Sequence, residues 1–326
     1  MRDTTINSGA QGASGQQQHR QAARVCIVTS SHSHPPGASS SSWRSGCMAA
    51  GRARATRSVF PNCYTAGAMV TIEAVNDIAR RAAKVVLKHY HARDTWVRQK
   101  EDGSPVTGVD LAAEEIIREG VLALDDTIPY VSEERELPDY EERRQWSRYW
   151  LVDPLDGTKE FINRTDEFTV NIAMIEGGEP VLGVVAAPAS GLLFYATAGG
   201  GAWKQEGESA PRRLRSTLAD PSEPLRIVES RSHPSPALES FLEPFTIAER
   251  VKSGSSLKFC VVADGRADMY PRLGQTMEWD VAAGDCVYRN SGYPEPHPGT
   301  LRYNKPSLLN PSFVIGLRPG TYSLPT

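Results

Sequence analysis

Between residues 72 and 90 apolar side chains return every three or four positions, at Val75, Ile78, Ala82, Val86 and Tyr90, while Arg80, Arg81, Lys84 and Lys88 fill the gaps. That period predicts an amphipathic helix. A turn-rich stretch, Glu101-Asp-Gly-Ser-Pro105, separates it from a second helix whose start is marked by Thr107 and Asp110, a capping pattern, and which ends near Leu124. The pattern then shortens to strand length at residues 130–131, 149–152, 168–175, 181–186 and 192–196, with Gly177-Gly178 turning one hairpin and Gly199 to Gly201 marking a break. Beyond the break, 226–229 reads as a strand, 257–263 as an apolar segment and 280–287 as the start of a further helix. Helices and antiparallel-looking strands interleave without a strict βαβ rhythm, so the class is mixed α/β (α+β). Two sub-domains are expected, one over 69–200 and a second over 201–316, followed by a tail, 317–326.

Composition changes this picture at one end of the chain. The 326 residues are 40% hydrophobic and 23% charged, enough for a core that needs neither disulfides nor a structural metal. The five cysteines follow no metal or disulfide spacing. No run of about 18 apolar residues occurs, so no transmembrane segment is expected, and peripheral association with a membrane stays open. Residues 1–68 form a block of their own, with seven Arg, no Lys and Asp3 as the single acid. They read as a disordered or targeting leader, or as an over-extended start of translation, and not as part of the fold. Taking those seven bases and one acid from the totals of 36 and 39 leaves 29 bases against 38 acids. A segment that acidic, without a basic stripe, excludes a nucleic acid polymer as partner. A cytoplasmic location is expected, with the inner face of the membrane and an organelle left open; monomer and homodimer both fit.

The chemistry gathers in Trp150-Leu-Val-Asp-Pro-Leu-Asp-Gly-Thr-Lys-Glu-Phe161, where an apolar strand runs straight into Asp153 and Asp156. Two anions that close, in a partly desolvated place, are costly unless a cation lies between them. Mg²⁺ is held by one or two carboxylates plus substrate phosphate oxygens, and the Gly157-Thr158 turn opens a helix whose free N–H groups suit a phosphate. Glu133 and Glu134 after a short strand, Asp280 at a helix start and Asp110 could join the pair. Each also has a plainer role, as a cap or a solvated loop charge.

Asp153-Pro-Leu-Asp-Gly-Thr158, Ser132-Glu-Glu134 and Trp279-Asp-Val-Ala-Ala-Gly284 together resemble the signature motifs of the inositol-monophosphatase superfamily of Mg²⁺-dependent, lithium-sensitive phosphatases. The wider match, through Pro105-Val-Thr, Gly254-Ser-Ser-Leu-Lys-Phe-Cys260 and Leu309-Asn-Pro311, is nearest the 3'(2'),5'-bisphosphate nucleotidases of the CysQ type. The resemblance implies a layered αβαβα sandwich. It implies that Glu133, Asp153, Asp156, Asp280 and the carbonyl of Leu155 bind two or three Mg²⁺ ions, and that Asp110 and Thr158 position or deprotonate the attacking water. Substrate would meet Glu133, Leu155, Asp156, Gly157, Thr158 and Asp280 at the scissile phosphate, and Ser255, Lys258, Arg272 and His233 farther along. A phosphate that stays uncleaved needs a cationic partner away from the metals, which suits Lys258 and Arg272. The implied reaction is hydrolysis of 3'-phosphoadenosine 5'-phosphate to AMP and phosphate. Inositol monophosphatase or sugar bisphosphatase activity, and a catalytically silent phosphometabolite-binding protein, remain the alternatives. One departure stands out: Asp285-Cys-Val-Tyr-Arg-Asn-Ser interrupts the run of small residues with which the family usually continues after Asp280, and the prolines 294, 296, 298 and 306 put the packing of the last strands in doubt.

Overall fold

The three-to-four residue period produces α1 (Ile72–Ala92), and after the short antiparallel pair β1 (Val97–Gln99) and β2 (Pro105–Thr107) it produces α2 (Gly108–Leu124). The computed structural model describes residues 70–92, 97–99, 105–232 and 235–324. Val75, Ile78, Ala82 and Val86 of α1 bury against Val109, Ala113, Ile117 and Val121 of α2, each valine or isoleucine worth about 1.5–3 kcal/mol once removed from water.

Both helices lie on a sheet built from β3 (Tyr130–Ser132), β4 (Arg148–Asp156), β5 (Thr169–Glu176), β6 (Glu179–Ala187), β7 (Leu192–Thr197), β8 (Gly201–Glu206) and β9 (Arg212–Arg213), in that order. Two short helices, α3 (Tyr140–Arg143) and α4 (Thr158–Ile162), flank β4 in sequence. Every neighbouring pair is antiparallel except β3 and β4. Strand alternation divides the side chains between two cores: Trp150 and Val152 face α1 and α2, while Tyr149 and Leu151 face the other way. The sheet is therefore apolar on both faces, and its strands read as continuous apolar runs rather than as half-exposed ones.

The rest of the chain supplies β10 (Leu225–Ser230), α5 (Leu238–Leu242), β11 (Ile247–Ser253), α6 (Leu257–Ala263), β12 (Tyr270–Arg272), α7 (Glu278–Ser291) and β13 (Phe313–Ile315). Helix α7 covers the second face of the large sheet, with α6 packed beside it. On their far side Val228, Tyr270, Phe313 and Ile315 share that core, while Leu225, Ile227, Met269 and Val314 turn outward to meet Phe241 and Leu242 of α5. Helix, sheet, helix, sheet and helix thus follow in five layers, the αβαβα sandwich. No helix among the described residues is long and apolar enough to cross a membrane.

Two expectations change, the break near residue 200 and the packing of the last strands. The glycines at 199–201 form the turn between β7 and β8, so the large sheet continues through residue 200 and the second set of strands begins at Leu225. Helix α7 is unbroken to Ser291, because Asp285 is buried against Arg289 (2.6 Å) and the Tyr303 hydroxyl (2.7 Å), and a paired charge can be buried. Beyond it β13 pairs regularly with β12, prolines notwithstanding. Over its described part the segment after residue 316 packs on the fold: Leu317 is buried and the Tyr322 ring meets Phe241 edge-on.

Candidate active site

Strand β4 pairs with β5 up to Asp153–Asn171 and resumes at Asp156–Thr169, so Pro154 and Leu155 bulge out of the ladder. A bulge re-aims side chains and frees backbone groups. Here it turns Asp153 and Asp156 toward one cavity of about 260 Å³ and leaves the Leu155 carbonyl to accept the Thr158 hydroxyl at 3.2 Å. Gly157, which follows, holds φ +86°, and a Cβ there would lie 3.2 Å from the Glu167 carbonyl. The turn needs glycine on both counts. The helix it opens, α4, is only five residues long, so the turn's own amides matter here more than any helix dipole.

Five acids approach this cavity from four stretches of the chain, and four of them commit a carboxyl oxygen to local structure. Asp153 Oδ1 accepts the Leu155 N–H at 3.0 Å. Asp280, in the first turn of α7, accepts the Met277 N–H at 2.8 Å. Asp156 Oδ2 accepts the Ser255 hydroxyl and the Ser256 N–H, both at 2.7 Å. Asp110 Oδ2 closes the capping box of α2 on Thr107, while its Oδ1 faces the Thr158 hydroxyl at 3.4 Å. Capping and site chemistry are therefore served by the same side chains. Glu133 arrives from the turn after β3, tethered by its N–H to the Val152 carbonyl at 3.2 Å. Oxygens of Glu133, Asp153 and Asp280 come within 4.8 Å of one another.

That convergence is electrostatically expensive. Burial, then the charges of Glu133, Asp156, Asp280 and Asp110, push the Asp153 carboxyl well above its ordinary range. Asp280 is raised for the same reasons, by burial first and then by Asp156 and Glu133. Burial also raises Asp156, opposed by Lys258 and by its hydrogen bonds, and raises Asp110 against the bonds from Thr107. Asp153 Oδ2 is buried with no hydrogen-bond partner. An unanswered carboxyl oxygen inside an all-oxygen cluster fits a hard divalent cation, which would supply the missing partner and reverse the local charge.

The opposite end of the cavity is cationic. Lys258 of α6 is 6% exposed, donates to the Ser255 carbonyl and is lowered to about 8, by burial first, with Asp156 opposing. Arg272 of β12 donates to the Gln275 carbonyl at 2.8 Å and keeps Nε buried without a partner. Ser255, at φ +54°, stands between the two ends. The structure thus places Asp153, Asp156, Leu155, Gly157, Thr158, Glu133, Asp280, Ser255, Lys258 and Arg272 around one space, with Asp110 behind Thr158. His233 lies outside the described residues.

Several supporting residues escaped the sequence reading. Thr169, Asn171 and Ser256 form a hydrogen-bonded floor beneath Asp156. Two polar residues spaced by two in an otherwise apolar β5 were the available signal. Glu114, buried on the inward face of α2, accepts from Tyr130 (2.8 Å), Ser132 (2.7 Å) and Arg135 (2.5 Å) and braces the turn that carries Glu133. An acid three positions before Ile117 and seven before Val121, on the same helix face, was its mark.

Residues 69–312 match the inositol monophosphatase family, and the chain belongs to that family. Among its relatives, the 3'(2'),5'-bisphosphate nucleotidase CysQ of Salmonella typhimurium is 46% identical over 248 residues, covering 75% of this chain and 98% of that protein. The same enzyme of Escherichia coli (strain K12) is 43% identical over 250 residues, covering 76% and 99%. The crystal structure of CysQ from Bacteroides thetaiotaomicron, a bacterial member of the inositol monophosphatase family, superposes with a TM-score of 0.61 at 38% identity, over 74% of this chain and 95% of that one.

Proposed function

We propose that this chain is a Mg²⁺-dependent phosphatase that removes the 3'-phosphate of 3'-phosphoadenosine 5'-phosphate, giving AMP and inorganic phosphate. The observation that carries the reading is a single cavity with an acidic cluster at one end, including the unanswered Asp153 Oδ2, and Lys258 with Arg272 at the other. Relatives that span three quarters of the chain at 43–46% identity and bear the nucleotidase name support the same substrate.

Glu133, Asp153, Asp156, Asp280 and the Leu155 carbonyl would hold two or three Mg²⁺ ions. Ions held there would supply charge to polarise the phosphoryl oxygens, acidify a water and stabilise the leaving oxygen. The protein's own groups do the rest. Thr158 and Asp110 hold the attacking water, and Asp110, made more basic by burial, takes up its proton while Thr107 keeps the carboxyl oriented. The water oxygen joins phosphorus, the bond from phosphorus to the sugar oxygen breaks, and the released oxygen takes a proton from solvent while Asp110 returns its own to solvent. Lys258 and Arg272 hold the phosphate that is not cleaved, so the reacting one is aligned by an anchor at a distance.

A substrate panel on a chain starting at Met69, with and without Mg²⁺, tests the reading. Phosphate release is expected from the adenosine bisphosphate with Mg²⁺ and not after chelation. Preferential release from an inositol monophosphate or a sugar bisphosphate would reassign the substrate, and no release from any of them would remove the enzymatic reading.

A further inference from the structure

Helix α4 carries a buried acid that the hydrolysis described above does not use. Glu160 is 3% exposed and lines the cavity that holds Asp153, Asp156 and Lys258. Among the described residues its carboxyl group makes no hydrogen bond and no close ion pair, although Lys258 and Arg231 feel its charge, and it lines the cavity. Two glycines fix its position. A Cβ at Gly157, in the turn beside the acidic cluster, would lie 3.4 Å from Glu160 Oε2, and a Cβ at Gly254, which leads to Ser255 and Lys258, would lie 2.9 Å from its Cγ. The carboxyl group therefore sits between the segment expected to receive one phosphate and the segment expected to receive the other.

A carboxyl group in that place repels a phosphate, and without a partner it loses the hydrogen bonds that water would have made. It is satisfied by a neutral donor lying between two anions. In a nucleoside 3',5'-bisphosphate that donor is the ribose 2'-hydroxyl, next to the scissile phosphate. We infer that Glu160 is a specificity-determining residue that accepts a hydrogen bond from the hydroxyl vicinal to the phosphate being cleaved. The inference rests on the cavity's assignment as a bisphosphate site.

The test compares KM and kcat of the Mg²⁺-loaded full chain on adenosine 3',5'-bisphosphate and on its 2'-deoxy analogue. The parent is expected to favour the ribonucleotide about tenfold in KM, the size of one hydrogen bond to a charged acceptor. Glu160→Met, which keeps the volume and removes the acceptor, should bring the two substrates to parity. Glu160→Gln, which retains a carbonyl oxygen, should restore part of the preference and guards against a folding defect in the first variant. If the ribonucleotide is hydrolysed but the preference is absent in the parent or unchanged in Glu160→Met, the inference fails alone. An equal rise in KM for both nucleotides also overturns it, because Glu160 would then act only through the neighbouring Lys258. A parent that hydrolyses neither nucleotide but another phosphate ester overturns the nucleotide assignment and this inference with it.

Discussion

Asp153 keeps Oδ1 on the Leu155 N–H and leaves Oδ2 buried with no hydrogen-bond partner, in the cluster it forms with Glu133 and Asp280. Opposing consequences follow for Asp153→Asn. Removing one charge from a like-charged, desolvated cluster relieves repulsion, so in chelator the variant should melt a few degrees above the parent, on the order of 1 kcal/mol. Turnover should fall about a thousandfold or more with the cation ligand gone. Thermal melting in chelator and steady-state phosphate release read the two effects separately, and a variant less stable and equally active would contradict both. At this scale the sequence exposes an acid only where it breaks an apolar run, as Asp153 and Asp156 do after Val152. Glu160 looks like an ordinary charge in a polar turn beside Lys159, and only the folded neighbourhood of Gly157 and Gly254 shows it to be buried.

Among the elements, α1, α2 and strands β3 to β7 are legible from their periods because each has one rule to obey: burying a stripe, or burying both faces of a strand. Helix α7 accommodates its polar stretch for a physical reason. Asp285 and Arg289 look like surface residues in one dimension, yet they satisfy each other inside the sandwich. The same blindness hides the segment from Asn304 to Asn310, which straps the start of α7. Glu278, fully buried, accepts the Lys305 ammonium (2.5 Å) and the Asn304 and Lys305 N–H groups (2.8 and 3.1 Å), while Asn310 donates to the Met277 carbonyl (2.9 Å). Asp280 stands two residues farther on, so the strap fixes where its carboxyl points. Lys305→Met should cost about 2–4 kcal/mol, the two backbone donors sparing Glu278 the full loss of a buried partner. It should also raise the Mg²⁺ concentration for half-maximal turnover severalfold. Denaturant unfolding gives the first number and a Mg²⁺ titration of activity the second. An unchanged titration with lowered stability would confine the strap to a structural role.

For the whole molecule, a chain whose residues 69–326 carry 29 bases against 38 acids must attract a multiply charged anion to a site that is itself partly acidic. A bound cation resolves the conflict, and it links metal, pH and stability. Burial and mutual repulsion raise the folded-state carboxyls of Asp153 and Asp280 well above the ordinary 3.8. For groups raised in this direction the stabilisation from protonation is complete below that ordinary value and disappears as pH climbs through the folded-state values. The metal-free chain should therefore lose stability with rising pH across the window that opens at 3.8. The cation competes with those same protons and recovers more as pH rises. Melting temperatures with and without millimolar-scale Mg²⁺ should accordingly separate little near pH 5 and progressively more toward pH 8, and Asp153→Asn should flatten that slope. A gap that stayed constant or widened toward acid would mean that the cation binds away from the Glu133, Asp153 and Asp280 cluster.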